Sequence, residues 1–263
     1  MTTHPTHQRV VGMVQSRMGS TRLPGKALKE IGGLPLVARI CRRVELSELV
    51  NDVILVTTRD QAEQPMISRL AELGIDSFQG STDDIVTRFH DAAIKFGADV
   101  VVRVWGDCPF VDPAVIDLAV DRLVAEKLDY CASFSPLLRS FPGGLDLEVY
   151  RMETLGRIRA ESEDPFFREF PADYLQANES QFSIGYVEAE SDYSRFNLSV
   201  DYPDDLKLAR TLHTLLEQAT AQGASTDFRS VVRLLENDPV LFALDQGQCR
   251  NAEYHAKRDK VDE

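Results

Sequence analysis

Four short apolar runs in the first half alternate with segments of helical period, and this alternation constrains the fold more than any other feature. The runs are Val10–Val14, "DVILVTT" (Asp52–Thr58), "DSFQG" (Asp76–Gly80) and "DVVVRVW" (Asp99–Trp105). Between them, Leu36, Val37, Ile40, Cys41 and Val44 recur at helical spacing, as do Ile67, Leu70, Ala71 and Leu73, with Gly74 placed to end that helix. Asp83–Phe96 carries one apolar stripe, and Pro113 opens a helix to about Lys127, with Asp112 as its N-cap. Strands this uniformly apolar are buried on both faces, so the alternation predicts an α/β fold with a mostly parallel central sheet covered by helices on both sides.

The second half reads differently. "YCASFS", "LDLEVY", "FSIGYVEAE" and "FNLSVD" are strand candidates, with a turn at Pro142–Gly144 and helices over about Met152–Ala160 and Pro165–Ala177. Pro203 opens a further helix, and Phe228–Leu235 forms another. The expectation is a single domain over residues 9–236, with a β-rich insertion at about 130–195 and loose tails at 1–8 and 246–263.

The net charge is −13. It argues against a nucleic-acid surface or an anionic membrane, which need a basic face. No apolar stretch approaches the roughly 20 residues of a membrane span, and no apolar leader opens the chain. The four cysteines show no metal or disulfide spacing, which fits a reducing, cytoplasmic setting.

Against this acidic background stands "QSRMGSTRLPGK", Gln15–Lys26, with two arginines, one lysine, two glycines and no acid. A strand, a glycine-bearing loop and a helix form a natural phosphate cradle. Arg17, Arg22 and Lys26 add full charges to the loop amides. The loop is not a P-loop: five residues separate Gly19 from Gly25, and Ala27 replaces the hydroxyl that would follow Lys26. GxGxxG is also absent, against a dinucleotide fold.

"RMGSTRLPGKAL" and the following "GGLPLVARI" resemble the cytidylyltransferases that make activated sugars. The likeness is closest to the spore-coat-polysaccharide type and more distant to the CMP-3-deoxy-manno-octulosonate synthetases. It continues through "FQGSTDDIVTRF", "ADVVVRVWGDCPFVDP", "GLDLEV" and "SVDYPDDL", covering roughly residues 9 to 216. The resemblance implies a Rossmann-like nucleotide-diphospho-sugar transferase fold, a nucleoside triphosphate substrate with CTP favoured, a sugar-like acceptor and a homodimer.

Asp107 follows the fourth strand and Asp201 precedes the Pro203 helix, 94 residues on. Ligands of open α/β sheets bind beyond the carboxyl ends of strands. Two carboxylates there suffice for Mg2+ or Mn2+, with water and phosphate completing the shell. Alternative roles are a turn residue for Asp107 and a helix N-terminal anion for Asp201. The family's metal-binding aspartates fall on these two positions. Gly19, Ser20, Arg22 and Lys26 would then hold the triphosphate, and Arg17, Lys26 and Asp107 would serve the transfer step. The histidines lie at the termini or within predicted helices and carry no catalytic role in this reading.

In the resembling enzymes the loop after the third strand borders the nucleotide, which places Ser81, Asp84 and Arg88 near base or ribose. An N-cap at Ser81 or Thr82 is the competing role. Acceptor contacts are expected from Gly144, Asp146, Glu148 and Arg168. Asp146 and Glu148 lie on one face of a strand, since alternate side chains point the same way; a polar strand face is the alternative. Phe170 replaces the family's histidine after Arg-Glu, and Trp105 replaces the octulosonate enzymes' glutamine, so that acceptor does not transfer. Two other activities remain open: the same fold using GTP or another nucleotide on a sugar phosphate, and a metal-dependent glycosyltransferase using Asp146-Leu147-Glu148.

Overall fold

The structure, a computed structural model, describes residues 8–135, 139–221 and 225–245. The expected tail at 246–263, and all but Gln8 of that at 1–8, lies outside the described residues.

Nine strands are described: β1 (Val10–Gln15), β2 (Glu30–Ile31), β3 (Leu34–Pro35), β4 (Asp52–Thr58), β5 (Asp76–Gly80), β6 (Val100–Trp105), β7 (Tyr130–Ala132), β8 (Leu147–Arg151) and β9 (Ile184–Tyr186). The α-helices are α1 (Leu36–Val44), α2 (Gln64–Glu72), α3 (Ile85–Phe96), α4 (Pro113–Ala125), α5 (Met152–Glu161), α6 (Pro165–Glu169), α7 (Pro171–Ala177), α8 (Pro203–Thr220), α9 (Phe228–Asn237) and α10 (Pro239–Asp245). Seven strands form one sheet in the order β5-β4-β1-β6-β8-β7-β9, and β2 and β3 form a separate hairpin. Pairings β5-β4, β4-β1, β1-β6 and β7-β9 are parallel; β8 runs antiparallel to both β6 and β7.

The sheet is buried on both faces, as the apolar runs predict. Val10, Val14, Leu55, Val100, Val102 and Val104 pack beneath α1, α2, α4, α8 and α9. Their alternate neighbours Val11, Met13, Ile54, Val56 and Val101 pack beneath α3, α5 and α7. Period-two alternation sends successive side chains to opposite faces, so both registers must be apolar.

The expected helix ends are met where backbone chemistry is local. Asp112 caps α4 by accepting from Ala114 N at 2.9 Å. Gly74 follows α2 with φ 72°. The second half departs from expectation. Its three short strands extend the main sheet, and the middle of the segment expected to be β-rich is helical. "FNLSVD" forms no strand; its single bridge joins Asn197 to Gly143. The helix expected over Pro165–Ala177 is broken at Pro171, which lacks the N–H a continuous helix needs, giving α6 and α7. The core also extends past residue 236, to Leu241 of α10.

β1 leads to one side of the sheet through β4 and β5, and β6 begins the other side. The loops leaving β1 and β6 therefore flank the topological switch point, where open α/β sheets place their ligands.

Candidate active site

The cleft at this switch point encloses about 480 Å³. The loop that follows β1 forms one wall. It is pinned by Glu63, 3% exposed, whose carboxylate accepts from Met18 N at 2.9 Å and from Thr58 Oγ1 at 3.3 Å. Gly25, at φ 67°, turns the chain into a short 3-10 turn, Lys26–Leu28. Arg17, Gly19, Ser20, Arg22 and Lys26 all line the cleft.

Lys26 Nζ donates to Asp107 Oδ2 at 3.1 Å and to Asp201 Oδ1 at 3.0 Å, while Arg22 Nη2 reaches the same Asp201 oxygen at 3.1 Å. The guanidinium of Arg22 also stacks 5.3 Å from the Tyr202 ring. Burial works to lower the Lys26 pKa, but Asp107 and Asp201 outweigh it and hold the ammonium above its ordinary value.

Backbone contacts explain how distant residues reach one place. Gly106 N donates to Gln15 O at 2.7 Å, and a Cβ at Gly106 would lie 2.6 Å from Ser16 Cβ. A glycine is therefore required where the β6 loop crosses the end of β1. Val200 N donates to Asp107 O at 2.8 Å, tying the segment before Asp201 to the residue it must face. That segment is braced from behind, since Gly143 N donates to Phe196 O at 2.9 Å and Leu198 N to Gly143 O at 2.6 Å. Asp205, 4% exposed, accepts from the N–H groups of Asp201 and Tyr202 and so anchors the start of α8. With Asp205 in that role, the Asp201 carboxylate is turned to Lys26 and Arg22.

Gly144 belongs to this brace. Its φ is 84°, and a Cβ there would lie 2.4 Å from Ser199 N and 2.6 Å from Leu198 C, both backbone atoms. Gly144→Ala is expected to cost about 2–4 kcal/mol of stability, from the left-handed backbone and the overpacking combined. The midpoint of denaturant unfolding measures this; an unchanged midpoint would refute the brace. Gly144 does not line the cleft, contrary to its expected acceptor role.

Five further residues expected to contact ligand are engaged by the protein itself. Asp84 is the N-cap of α3, accepting from Thr87 N and Oγ1, each at 2.7 Å, and Ser81 Oγ accepts from Asp84 N at 3.2 Å. Neither lines the cleft; the intervening Thr82 and Asp83 do, together with Arg88. Arg168 spends its guanidinium on Asp84 at 3.1 Å, Ser162 O at 2.7 Å and Arg159 O at 2.6 Å, clamping α6 to the start of α3. Asp146 precedes β8 and pairs with Arg139. Glu148 is 2% exposed. Its oxygens accept from Arg103 Nη1 at 2.8 Å, Tyr130 OH at 3.2 Å and Tyr150 OH at 2.9 Å. Burial, and then Glu148 itself, push both phenols well up, so each stays a donor. Asp146-Leu147-Glu148 therefore presents no pair of acids to a cleft.

Sequence reasoning missed Arg103, Gln15, Thr82 and Asp83 as cleft residues. Arg103 carries a signal in retrospect. It is the one charge inside an apolar strand run, and it sits directly across from Glu148 in the β6–β8 register. Its Nε donates to Gln15 at 2.9 Å, and its guanidinium lies 5.4 Å from the Phe89 ring and 4.7 Å from Trp105. Pro165, Glu169 and Phe170 close the far side.

Comparison with known proteins shows the family and the fold. Residues 11–220 match the cytidylyltransferase family. An uncharacterised protein of Methanocaldococcus jannaschii is 27% identical over 235 residues, which are 89% of this chain and 93% of that protein. The spore coat polysaccharide biosynthesis protein SpsF of Bacillus subtilis is 23% identical over 237 residues, 88% of this chain and 95% of its own. Among solved structures, a cytidylyltransferase from Leptospira borgpetersenii superposes with a TM-score of 0.81 at 25% identity, covering 92% of this chain and 99% of that one.

Proposed function

The chain belongs to the cytidylyltransferase family, and from that membership we propose that it transfers CMP from CTP to a sugar or sugar-acid acceptor, with release of pyrophosphate, for surface polysaccharide synthesis. One observation carries this reading: Lys26 of the basic loop bridges Asp107 and Asp201 at 3.1 and 3.0 Å in the cleft that Arg17 and Arg22 also line. A triphosphate needs such a combination of fixed cations on one side and acids able to hold a divalent ion on the other.

The residues fit Mg2+ or Mn2+. Two carboxylates already converge on one cationic nitrogen. Among the described residues no cluster of three or more His, Cys, Asp or Glu forms a metal cage. Water and phosphate oxygens would complete the shell, the arrangement magnesium favours. Such an ion, when bound, supplies charge withdrawal from the phosphoryl group under attack.

The chain's own groups account for the rest. The exposed guanidinium of Arg17 and the ammonium of Lys26 oppose the charge that grows on departing pyrophosphate. Gly19 and Ser20 offer loop amides to the β- and γ-phosphates. An acceptor oxygen attacks the α-phosphorus, the α–β bridging P–O bond breaks, and its electrons leave with pyrophosphate. The working unit is a homodimer in the cytoplasm, as the family resemblance and the composition imply.

Incubation with each of the four nucleoside triphosphates, magnesium and a panel of sugars, sugar acids and sugar phosphates tests it. Acceptor-dependent pyrophosphate release is expected with CTP, at a kcat/KM at least about tenfold above the other three. Release with none of them, or transfer from a preformed nucleotide sugar, overturns it.

A further inference from the structure

Arg88 is 4% exposed, yet it lines the cleft. Its stem fills the space beside Gly80, where a Cβ would lie 2.6 Å from Arg88 Cγ. Its Nε is buried without a hydrogen-bond partner, and its guanidinium forms no ion pair among the described residues. The nearby acids are committed elsewhere. Asp84 caps α3 and pairs with Arg168, and Glu63 holds Met18 N and Thr58. Burial, then repulsion from Arg103 and Arg17, lowers its pKa to about 10, and the attraction of Asp84 and Glu63, neither of them paired with it, does not offset this.

The other cleft cations are provided for. Lys26 and Arg22 have Asp107 and Asp201, and Arg103 has Glu148. Arg17 is exposed to water. A guanidinium removed from water without a counter-charge destabilises the protein that holds it. Its fork geometry matches two oxygens of a carboxylate or phosphoryl group.

We propose that Arg88, flanked by Arg103 and Arg17, is the buried contact for an oxyanion, a carboxylate or a phosphoryl group, on a ligand entering the cleft, and not a reader of base or ribose. This deepens the reading above and rests on the same cleft. The oxyanion belongs either to the nucleotide's phosphates or to an acid group of the acceptor.

Full-length Arg88→Met and Arg88→Lys variants separate these cases. Thermal midpoints and calorimetric Kd values are measured with sodium phosphate, cytidine, CMP and CTP. Without ligand, Arg88→Met is expected to melt at or up to about 4 °C above the unaltered chain, because a buried charge is gone. Phosphate should no longer raise its midpoint. Arg88→Lys keeps the charge but not the fork, and its anion affinity should fall about tenfold. A loss of tenfold or more for CMP or CTP, with cytidine unchanged, puts the oxyanion on the nucleotide. Unchanged nucleotide Kd values, with phosphate no longer stabilising the CTP-saturated protein, put it on the acceptor. Parallel loss of cytidine and CTP affinity overturns the proposal in favour of base reading. Phosphate, CMP and CTP binding indifferent to both substitutions overturns it in favour of a structural role. None of these readouts requires turnover, so failure of CTP to yield pyrophosphate would remove the enzymatic reading while leaving this one to stand or fall separately.

Discussion

Asp107→Asn and Asp201→Asn are each expected to lower kcat for pyrophosphate release by about three powers of ten or more, while the protein stays folded. Each substitution keeps the side chain's size and removes the negative charge that the proposed divalent ion needs. The cost to the fold should be small. The two carboxyl side chains are 27% and 16% exposed, and in each single variant Lys26 keeps its ion pair with the other carboxylate. Asparagine also leaves intact the backbone bond from Val200 N to Asp107 O that sets the two residues face to face. Initial rates and thermal midpoints, measured on the same preparations, check both halves. Rates within tenfold of the unaltered protein in either variant would remove the metal assignment.

Glu148→Ala is expected to act the other way, on stability first, costing about 3–5 kcal/mol. It leaves the Arg103 guanidinium buried without its counter-charge and strands the hydroxyls of Tyr130 and Tyr150. Both rings are essentially fully buried, so neither hydroxyl can turn to water. The thermal midpoint should fall by about 10 °C for a chain of this size. A double substitution, Arg103→Met with Glu148→Leu, should recover the part of that loss due to the unpaired guanidinium, but not the part due to the Tyr130 and Tyr150 hydroxyls, which stay without their acceptor. It should not recover activity, since Arg103 also faces the cleft. A Glu148→Ala midpoint within 2 °C of the unaltered protein would show that the buried network contributes little.

Several features of the site were legible in the sequence because their causes are local. The basic loop could be read from residue types alone: glycines beside arginines after an apolar run have few other uses. Asp107 and Asp201 were legible as residues just past strands or before a helix, although the strand expected before Asp201 is only an extended segment held by Gly143. Ser81, Asp84, Arg168, Asp146 and Glu148 misled for one shared reason. Each has the right chemistry for ligand binding, and each is already engaged by the protein itself. Asp84 is taken by backbone and by Arg168, and Glu148 by three donors. A polar side chain carries no mark in the sequence of whether its partner is internal. Arg88 shows the converse. The resemblance places it near base or ribose, and only its 4% exposure and unpartnered Nε reveal it as a buried cation with no ion pair among the described residues.

Residue order alone establishes the mostly parallel sheet buried on two faces, the helices that cover it, the loop after β1 and the family to which these belong. Hydrophobic period, capping residues and glycine placement act over a few residues, so they can be read in order along the chain. That acids 94 residues apart meet at one lysine, and which polar groups face the cleft and which are consumed beneath it, follows from the folded arrangement. Convergence depends on strand order and on close backbone approaches at Gly106 and Gly144, and burial depends on everything packed around a residue. Both are sums over contacts distant in the chain, which no local stretch encodes.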